Sequence, residues 1–348
     1  HKVCGRPMLG YVLDLAKSTG AQKTVVVLGH QHEQVRKYIP ADIKIVKQGK
    51  LLGTADAVKK GIRALGSFKG DLLILYGDMP LLKKETLDNL IKFHVKSESD
   101  VTLLTAEVKK PDGYGRILRD KYLGISGIVE DNDADEFQKD IKEINTGVAV
   151  FKTEYLSRAL RQVKRNSRKG EYYLTDVFGI IYSSGGLLAD LKLSDMDEAQ
   201  GVNSRADLAS VNKTMRIRIN EQLMQSGVTM VDPGSVFIDY GVKIGKDSVI
   251  YPFTVIENGV KIGKRCSVGP FAHLRDNVVI EDDVLVGNFL EIVRSRISSK
   301  VFAKHFGYIG DSRLGKEVNI GAGVVTANFN GKDKNLTIIK LAAYNANV

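Results

Sequence analysis

Asp78 is the residue of this sequence whose type and position most directly suggest chemistry. It lies in the run YGDMPL at residues 76–81, directly after an apolar run that predicts a buried strand. Ligands of open parallel sheets bind beyond the carboxyl ends of the strands, where this carboxylate falls. A lone carboxylate there can hold Mg²⁺, which would bridge phosphate oxygens. The alternative is an aspartate that caps a helix N-terminus, and the residue alone leaves both open.

Other segments carry polar groups or glycines in positions that suit a phosphorylated ligand. Gln48 precedes a glycine turn, LGTADA at residues 52–57, whose backbone N–H groups could cradle a base or a phosphate at the start of a helix. A plain loop-to-helix turn explains that segment equally well. Asn203 offers an amide oxygen as a second metal ligand. The runs DGYGR at 112–116 and EINTG at 143–147 are ambiguous when taken alone.

The net charge of +10 suits either nucleic acid or small anionic substrates. Basic and acidic residues are interleaved, with no basic run that contains aromatic residues, so we expect phosphorylated small molecules rather than nucleic acid. The sequence shows no apolar run long enough to cross a bilayer and no signal pattern, which predicts no membrane insertion. Cys4 and Cys266 match no metal spacing and are interpreted as reduced thiols of a cytoplasmic protein.

The elements that must position these residues alternate over the first two hundred positions. Short apolar runs predict strands at 23–29, 71–78, 101–105 and 147–151, and helical patterns occupy 54–65 and 85–96. The first two runs are continuous rather than alternating, as in strands of parallel sheets. This rhythm predicts a three-layer α/β domain, followed by a connecting helix from about residue 204 to 224.

The sequence then changes period, because aliphatic residues recur at every sixth position. Six residues per flat side and three sides per turn predict a triangular β-helix with these residues pointing inward, whereas an ordinary antiparallel domain predicts period two. After Ile292 the register slips, and His305 lies in the irregular part. The regular positions are Ile238, Ile244, Ile250, Ile256, Ile262, Val268, Leu274, Ile280, Val286 and Ile292, and the later ones are Ile297, Ala303, Ile309, Leu314 and Ile320.

Taken together and in this order, the motifs resemble one family, the bifunctional N-acetylglucosamine-1-phosphate uridylyltransferase/glucosamine-1-phosphate acetyltransferases of bacterial cell-wall precursor synthesis. The resemblance runs from His1 to about Ile339. Its most specific pieces are YGDMPLL, GYGRI, EINTG, GEYYLTD, QGVNSR, GPFAHLR, GNFLE, YIGD and NIGAG. It implies an α/β fold, with a Rossmann-like nucleotidyltransferase domain followed by a left-handed parallel β-helix of hexapeptide repeats.

The resemblance also implies roles for individual residues. It makes Asp78 and Asn203 the Mg²⁺ ligands and His305 the catalytic base of acetyl transfer, a role that suits a histidine near neutral pH. The residues matching nucleotide and sugar positions are Gln48, Gly53, Thr54, Tyr76, Gly77, Asp78, Gly115, Glu130, Asn145 and Asn203. Those matching the acetyl-acceptor site are Arg275, Tyr308 and Asn319, and those matching acetyl-coenzyme A contacts are Ala322, Asn328 and Phe329.

The activities implied are uridylyl transfer from UTP to N-acetylglucosamine 1-phosphate and acetyl transfer from acetyl-coenzyme A to glucosamine 1-phosphate. Mg²⁺ is the implied metal, a homotrimer the implied assembly and the cytoplasm the implied location. One alternative is a hexose-1-phosphate nucleotidyltransferase that carries out the same chemistry with another base or sugar. The other is a non-catalytic homologue whose β-helix serves assembly or regulation.

The sequence departs from the family pattern at several positions. Leu51 stands where the family usually has Gln or an equivalent residue, and Asp56 stands where it usually has His. Phe329 replaces the usual Tyr. Val293 replaces a substrate-binding Lys, for which Arg294 is the candidate replacement. The family's glycine-rich first loop is expected before His1, and its last coils are expected where residues 340–348 instead lack the glycine-bearing hexads. We assign residues 1–203 to the nucleotidyltransferase domain, 204–227 to the linker helix and 228–348 to the β-helix.

Overall fold

The computed structural model describes residues 1–167 and 169–340, and the chain divides into two compact units. One unit is Pro7–Asp207; the other joins His1–Arg6 to the chain from Leu208 onward. The helices described are α1 (Met8–Ser18), α2 (His32–Arg36), α3 (Thr54–Leu65), α4 (Lys84–Ser97), α5 (Glu136–Lys139), α6 (Thr153–Leu160), α7 (Asp176–Ser183) and α8 (Arg205–Gln225), with a 3₁₀ helix at Met196–Ala199. The first ten strands are β1 (Lys2–Val3), β2 (Arg6–Pro7), β3 (Val25–Leu28), β4 (Lys44–Lys47), β5 (Asp71–Ile74), β6 (Val101–Glu107), β7 (Arg116–Arg119), β8 (Ile125–Val129), β9 (Glu143–Lys152) and β10 (Leu188–Lys192).

The main sheet of the unit Pro7–Asp207 runs in the order β10-β6-β9-β7-β8, with β5 also paired to β9, and β3 and β4 form a separate parallel pair. Both faces of this sheet are covered by apolar residues. Leu103 and Leu104, adjacent in β6, lie in two different buried clusters, one packed with α6 and α7 and the other with α4. The predicted three-layer α/β arrangement is therefore confirmed.

The pairing direction of β5 differs from the sequence-based expectation. β6 and β10 are parallel, but β9 is antiparallel to both β5 and β6, so the sheet is mixed. A continuous apolar run reports that a strand is covered on both faces, and it carries no information about the direction of its neighbours. β5 also ends at Ile74, which leaves Asp78 in the loop beyond the strand's carboxyl end.

The second unit is a prism of three parallel sheets, which confirms the β-helix predicted from the period of six. Each strand pairs with the one three positions along the chain, so that every turn contributes one strand to each face. The faces are, in strand order, β11 (Thr229–Met230), β14 (Val249–Ile250), β17 (Ser267–Val268), β20 (Leu285–Val286), β23 (Phe302–Ala303) and β26 (Asn319–Ile320); β12 (Phe237–Ile238), β15 (Val255–Ile256), β18 (His273–Arg275), β21 (Leu290–Val293), β24 (Gly307–Gly310) and β27 (Val324–Val325); and β13 (Lys243–Ile244), β16 (Lys261–Ile262), β19 (Val279–Ile280), β22 (Arg296–Ile297), β25 (Ser312–Leu314) and β28 (Thr337–Ile339).

All the aliphatic positions of the repeat are buried, including the five that follow the change of register. In the regular part Ile262 pairs with Ile280, eighteen residues later. Ile280 pairs with Ile297, only seventeen residues later, because one corner has lost a residue. The change of register therefore shortens this turn of the prism by one residue, and the aliphatic residues of the repeat still point inward.

Residues 1–6 pack with the second unit, although the sequence assigned them to the first domain. The backbone N–H of Cys4 donates to Asn212 Oδ1 of α8 at 2.9 Å, and the carbonyl of Cys4 accepts from the N–H of Tyr240 at 2.9 Å. Sequence order alone could not reveal these contacts with residues more than two hundred positions away. The other proposed domain bounds remain predictions.

No helix in the described part of the chain is long and apolar enough to cross a membrane. The residues in which the expected final coils are replaced, from 341 on, lie outside the described residues.

Candidate active site

Gln48 and the turn at Gly53 are held together by side-chain and backbone contacts. Gln48 Nε2 donates to the carbonyl oxygen of Gly53 at 3.0 Å. Gly53 has a φ of 99°, and a Cβ there would lie 2.5 Å from the carbonyl oxygen of Tyr172, so no larger residue fits without moving backbone. Tyr172 in turn exchanges hydrogen bonds with Leu52 and Ala55, on either side of the glycine. The predicted glycine turn is thus built against a distant segment.

Tyr76 connects that turn to the strands that carry the sugar candidates. Thr54 accepts a hydrogen bond from the N–H of Leu174 at 3.0 Å and lies near the hydroxyl of Tyr76. Burial, followed by the negative charges of Glu130 and Asp78, raises the pKa of Tyr76 to about 12, so its hydroxyl keeps its proton. Gly147, with a φ of 86°, leaves room for the ring, because a Cβ there would lie 2.6 Å from Tyr76 Cε2.

The sugar candidates lie on neighbouring segments of the sheet. The N–H of Asn145 donates to the carbonyl of Gly115 at 2.8 Å, and Asn145 Oδ1 accepts from the N–H of Gly147 at 2.9 Å. Glu130 Oε1 accepts a hydrogen bond from Thr175 at 2.7 Å. A Cβ on Gly115 would press on Ile128 at 3.0 Å, which accounts for the glycine.

Asp78 and Asn203 meet around Gly201. A Cβ placed on Gly201 would lie 4.0 Å from Asp78 Oδ2 and 3.9 Å from Asn203 Nδ2, and the N–H of Val202 donates to the carbonyl of Asp78 at 3.0 Å. Burial raises the pKa of Asp78 above its usual value, and a hydrogen bond from the backbone opposes this only in part. Gly77 is exposed beside it, facing Leu9 of α1.

Tyr114 is a residue of this site to which sequence reasoning gave no role. Burial raises the pKa of its hydroxyl, and the nearby Asp207 and Asp78 add to the effect. The hydroxyl lies near the backbone of Gly201. The signal was available, because Tyr114 lies within the GYGRI run, but a tyrosine among glycines does not by itself identify its partner.

Asp78 and Asn203 fit a magnesium site in which substrate supplies the remaining oxygens. Among the described residues, no group of three or more histidines, cysteines, aspartates and glutamates could hold a metal ion. Magnesium needs no such group, since it is bound through one or two carboxylates together with phosphates and water. A half-buried carboxylate with a raised pKa and an amide that can turn its oxygen inward match that donor set.

On the β-helix, Arg275 and Tyr308 lie on one face. Their strands flank β21, where Glu291 pairs with Tyr308 and Val293 pairs with Arg275. Arg275 Nη1 donates to Glu291 Oε1 at 2.7 Å, so its guanidinium already has an anionic partner. Val293 is 2% exposed and contributes no cation.

Arg294 does not present a free cation in place of the missing lysine. Its backbone turns the corner after β21 with a φ of 45°. Its guanidinium makes two hydrogen bonds to Asp311, at 2.6 and 2.7 Å. A phosphate would have to compete with this carboxylate for the same donors.

The remaining β-helix candidates are spread over more than one face and its corners. His305 is exposed at the corner between β23 and β24, and the pairing of Ala303 with Ile320 places Ala322 one turn further along that corner. Asn319 is exposed on the face of β23 rather than on that of Arg275. Asn328 is buried and donates to the carbonyl of Gly310, while Phe329 is 62% exposed.

Comparison with known proteins finds two family models that match this chain. A nucleotidyl transferase model matches residues 2–198, and a bacterial transferase hexapeptide (six repeats) model matches residues 241–276 and 259–294. The matches follow the two architectures, the first covering the mixed sheet and the second covering residues 241–294 of the prism.

Individual relatives match over almost the whole chain. The bifunctional protein GlmU of Thermosipho africanus (strain TCF52B) is 45% identical over 377 aligned positions, which cover 99% of this chain and 81% of the relative. The protein of that name from Geobacillus thermodenitrificans (strain NG80-2) is 38% identical, with 100% and 84% covered. The one from Streptococcus agalactiae serotype V is 39% identical, with 96% and 80% covered.

Proposed function

Because the chain belongs to the family of bifunctional GlmU proteins, we propose that it makes UDP-N-acetylglucosamine through two transferase activities. In one, a phosphate oxygen of N-acetylglucosamine 1-phosphate attacks the α-phosphorus of UTP in line and pyrophosphate leaves. In the other, the amine of glucosamine 1-phosphate takes the acetyl group from acetyl-coenzyme A. A hexose-1-phosphate nucleotidyltransferase that uses another base or another sugar would have the same fold and motifs.

The observation that carries the first activity is the arrangement of distant segments around Tyr76. Thr54, from the glycine turn at residues 52–57, lies near Tyr76. Glu130 and Gly147, from the segments that carry the sugar candidates, also lie near it, and Asp78 comes two residues after Tyr76 in the sequence. Gln48, Gly53 and Thr54 would hold the base, and Gly115, Glu130 and Asn145 would hold the sugar. Asp78 and Asn203 would hold Mg²⁺, which when bound neutralises charge developing on the phosphates.

The test of the first activity is pyrophosphate release by the full-length protein. We expect release that requires UTP, N-acetylglucosamine 1-phosphate and Mg²⁺ together. Release with another sugar 1-phosphate or another nucleotide at a higher kcat/KM would transfer the assignment to the alternative substrate. Absence of release with every pair would contradict the proposal.

For the second activity, His305 would take the proton from the attacking amine. Arg275, Tyr308 and Asn319 would hold the sugar phosphate, and Ala322, Asn328 and Phe329 would contact acetyl-coenzyme A. The pairing of Arg275 with Glu291 and the burial of Val293 favour the rival function, a β-helix that serves only assembly. Coenzyme A release with glucosamine 1-phosphate as acceptor separates the two, because a scaffold releases none.

We further propose that the protein is a homotrimer and works in the cytoplasm. The rings of Phe253, Phe271 and Phe289 stack at 5.0 Å along one corner of the prism, and each is about half exposed. An exposed aromatic column of this kind suits contact with another copy. Light scattering should give three times the chain mass at micromolar concentration, and a monomer there would contradict the assembly. The cytoplasm supplies the nucleotide and acyl substrates and suits two cysteines that are free thiols.

A further inference from the structure

Asp56, which stands where the family usually has a histidine, contacts the glutamine assigned to base recognition. Gln48 is 8% exposed, and its Nε2 donates to Asp56 Oδ2 at 2.9 Å as well as to the carbonyl oxygen of Gly53 at 3.0 Å. Both hydrogens of the side-chain amide are therefore directed at acceptors within the protein.

Lys60 holds Asp56 from its other side. The two residues are four positions apart on α3, and Lys60 Nζ donates to the same carboxylate oxygen that Gln48 contacts. Burial opposes ionisation of Asp56, but the hydrogen bonds from Lys60 and Gln48 outweigh it and hold the pKa of that carboxyl below its usual value. Asp56 is thus an ionised acceptor at neutral pH.

These contacts fix the orientation of the Gln48 amide. In the reversed orientation, Oε1 would face a carboxylate and a carbonyl, two acceptors that cannot donate to it. A buried polar group left unpaired in this way costs roughly a factor of ten to a hundred in the equilibrium between the two orientations. Oε1 consequently points away from Asp56, toward Gly29 at the carboxyl end of β3, where it lies 3.9 Å from the position of a Cβ on that glycine.

We propose that Asp56 is a positioning residue that sets base selectivity, by presenting the acceptor end of the Gln48 amide to the bound nucleotide. An acceptor oxygen pairs with the imide N–H of uracil and is repelled by the unprotonated ring nitrogen of cytosine. This inference rests on the proposed uridylyl transfer and adds the reason why the site takes UTP rather than CTP.

The test is the ratio of kcat/KM for UTP to kcat/KM for CTP in the full-length protein. In Asp56→Ala, the amide loses one of the two acceptors that orient it, and the ratio should fall by about tenfold. The change should appear mainly in KM for the two nucleotides, because the base lies away from the reacting phosphorus. The thermal unfolding midpoint distinguishes this effect from damage to the fold.

Two matched variants make the test specific. Asp56→Asn offers Gln48 a donor as well as an acceptor, so it no longer selects one orientation of the amide, and the ratio should fall as in Asp56→Ala. Lys60→Met removes the partner of Asp56 but leaves its carboxylate facing Gln48, and it should keep the wild-type ratio. If Asp56→Ala fails to fold, a folded Asp56→Asn with the wild-type ratio would still contradict the inference.

The outcomes distinguish a failure of this inference from a failure of the proposed uridylyl transfer on which it rests. Wild-type turnover of UTP with an unchanged ratio in Asp56→Ala would overturn the role of Asp56 and leave uridylyl transfer standing. A wild-type protein that turns over CTP as well as UTP would also overturn it. No turnover of UTP by the wild type would instead remove the proposed function, and the inference with it.

Discussion

The two candidate sites differ in what holds their residues together. In the mixed-sheet unit, hydrogen bonds join Gln48 to Gly53, Thr54 to Leu174 and Gly115 to Asn145, although these residues come from separate segments. On the β-helix, strand register relates Arg275 to Tyr308, and the other candidates are spread over another face of the prism and its corners. Loops at strand ends can turn toward a common centre, whereas side chains on a flat face point outward in parallel.

The two sites are therefore organised by different means. The first site is pre-organised within its own unit, since polar side chains such as Gln48 and Thr54 have hydrogen-bond partners there. The second has rigid backbone but few contacts among its candidate side chains, and Arg275 is directed at Glu291. A surface of this kind gains a site only when something else, such as a substrate or another copy, supplies the opposite wall.

The largest effect is expected at Asp78. Asp78→Ala in the full-length protein should abolish uridylyl transfer while leaving the fold intact, because it removes the carboxylate that would face the phosphates beside Asn203. Asp42→Ala removes an exposed carboxylate of the same unit and should leave the rate unchanged. Normal Mg²⁺-dependent pyrophosphate release by the Asp78 variant would exclude this residue from the mechanism.

His305→Ala tests whether the β-helix is a catalytic surface at all. If His305 is the base, acetyl transfer should slow by about 10²–10⁴-fold, the usual contribution of a positioned acid–base group, and uridylyl transfer should not change. Coenzyme A release measures the first rate, and Lys316→Ala, which changes a side chain 65% exposed, is the control. Wild-type activity in the His305 variant would assign the proton to another group. No acetyl transfer by the parent protein would make the β-helix a scaffold.

A smaller effect is expected from removing an inward-facing residue of the prism. Ile256 is fully buried in the regular column, so Ile256→Ala should lower the free energy of unfolding by about 2–5 kcal/mol. Val255, its neighbour in β15, points outward and is 36% exposed. Val255→Ala should therefore cost within about 0.5 kcal/mol. Equal losses in denaturant unfolding would mean that the alternation of inward and outward residues does not set stability.

The smallest expected effect is a pH dependence that arises in the mixed-sheet unit. His94 is 2% exposed, and its Nδ1 is hydrogen-bonded to Thr102 at 2.8 Å. Burial lowers the pKa of His94, and the charge of Asp71, whose Oδ1 is 3.6 Å from Nε2, opposes this only in part. Lys152 adds to the lowering and Asp100 acts against it.

The direction of this pH dependence follows from the lowered pKa. The unfolded chain binds the His94 proton more tightly than the folded one, so stability is complete above the unfolded pKa near 6.5 and falls as the pH drops toward the folded pKa. The slope in that window is up to about 1.4 kcal/mol per pH unit. His94→Gln should remove this part of the slope between pH 8 and 5. An identical slope in the variant would show that His94 is not its source.

A sequence pattern predicts the structure when it reflects local backbone geometry. It does not predict which distant segments pack together. The period of six fixed the β-helix and its core, because any residue of that column must point inward whatever the strand pairs with. The helix at Thr54–Leu65 was likewise predicted with its observed bounds, since periodicity and the preceding glycine are local signals. The order of motifs then indicated the family.

Only the tertiary structure decided which groups face one another. The antiparallel pairing of β5 with β9, the packing of residues 1–6 beside α8 and the contact of Asp56 with Gln48 all join segments whose meeting depends on how the intervening chain folds. A side chain's type states what it can donate or accept. Its partner is set by packing, because burial forces each polar group to find whichever neighbour the fold brings within reach.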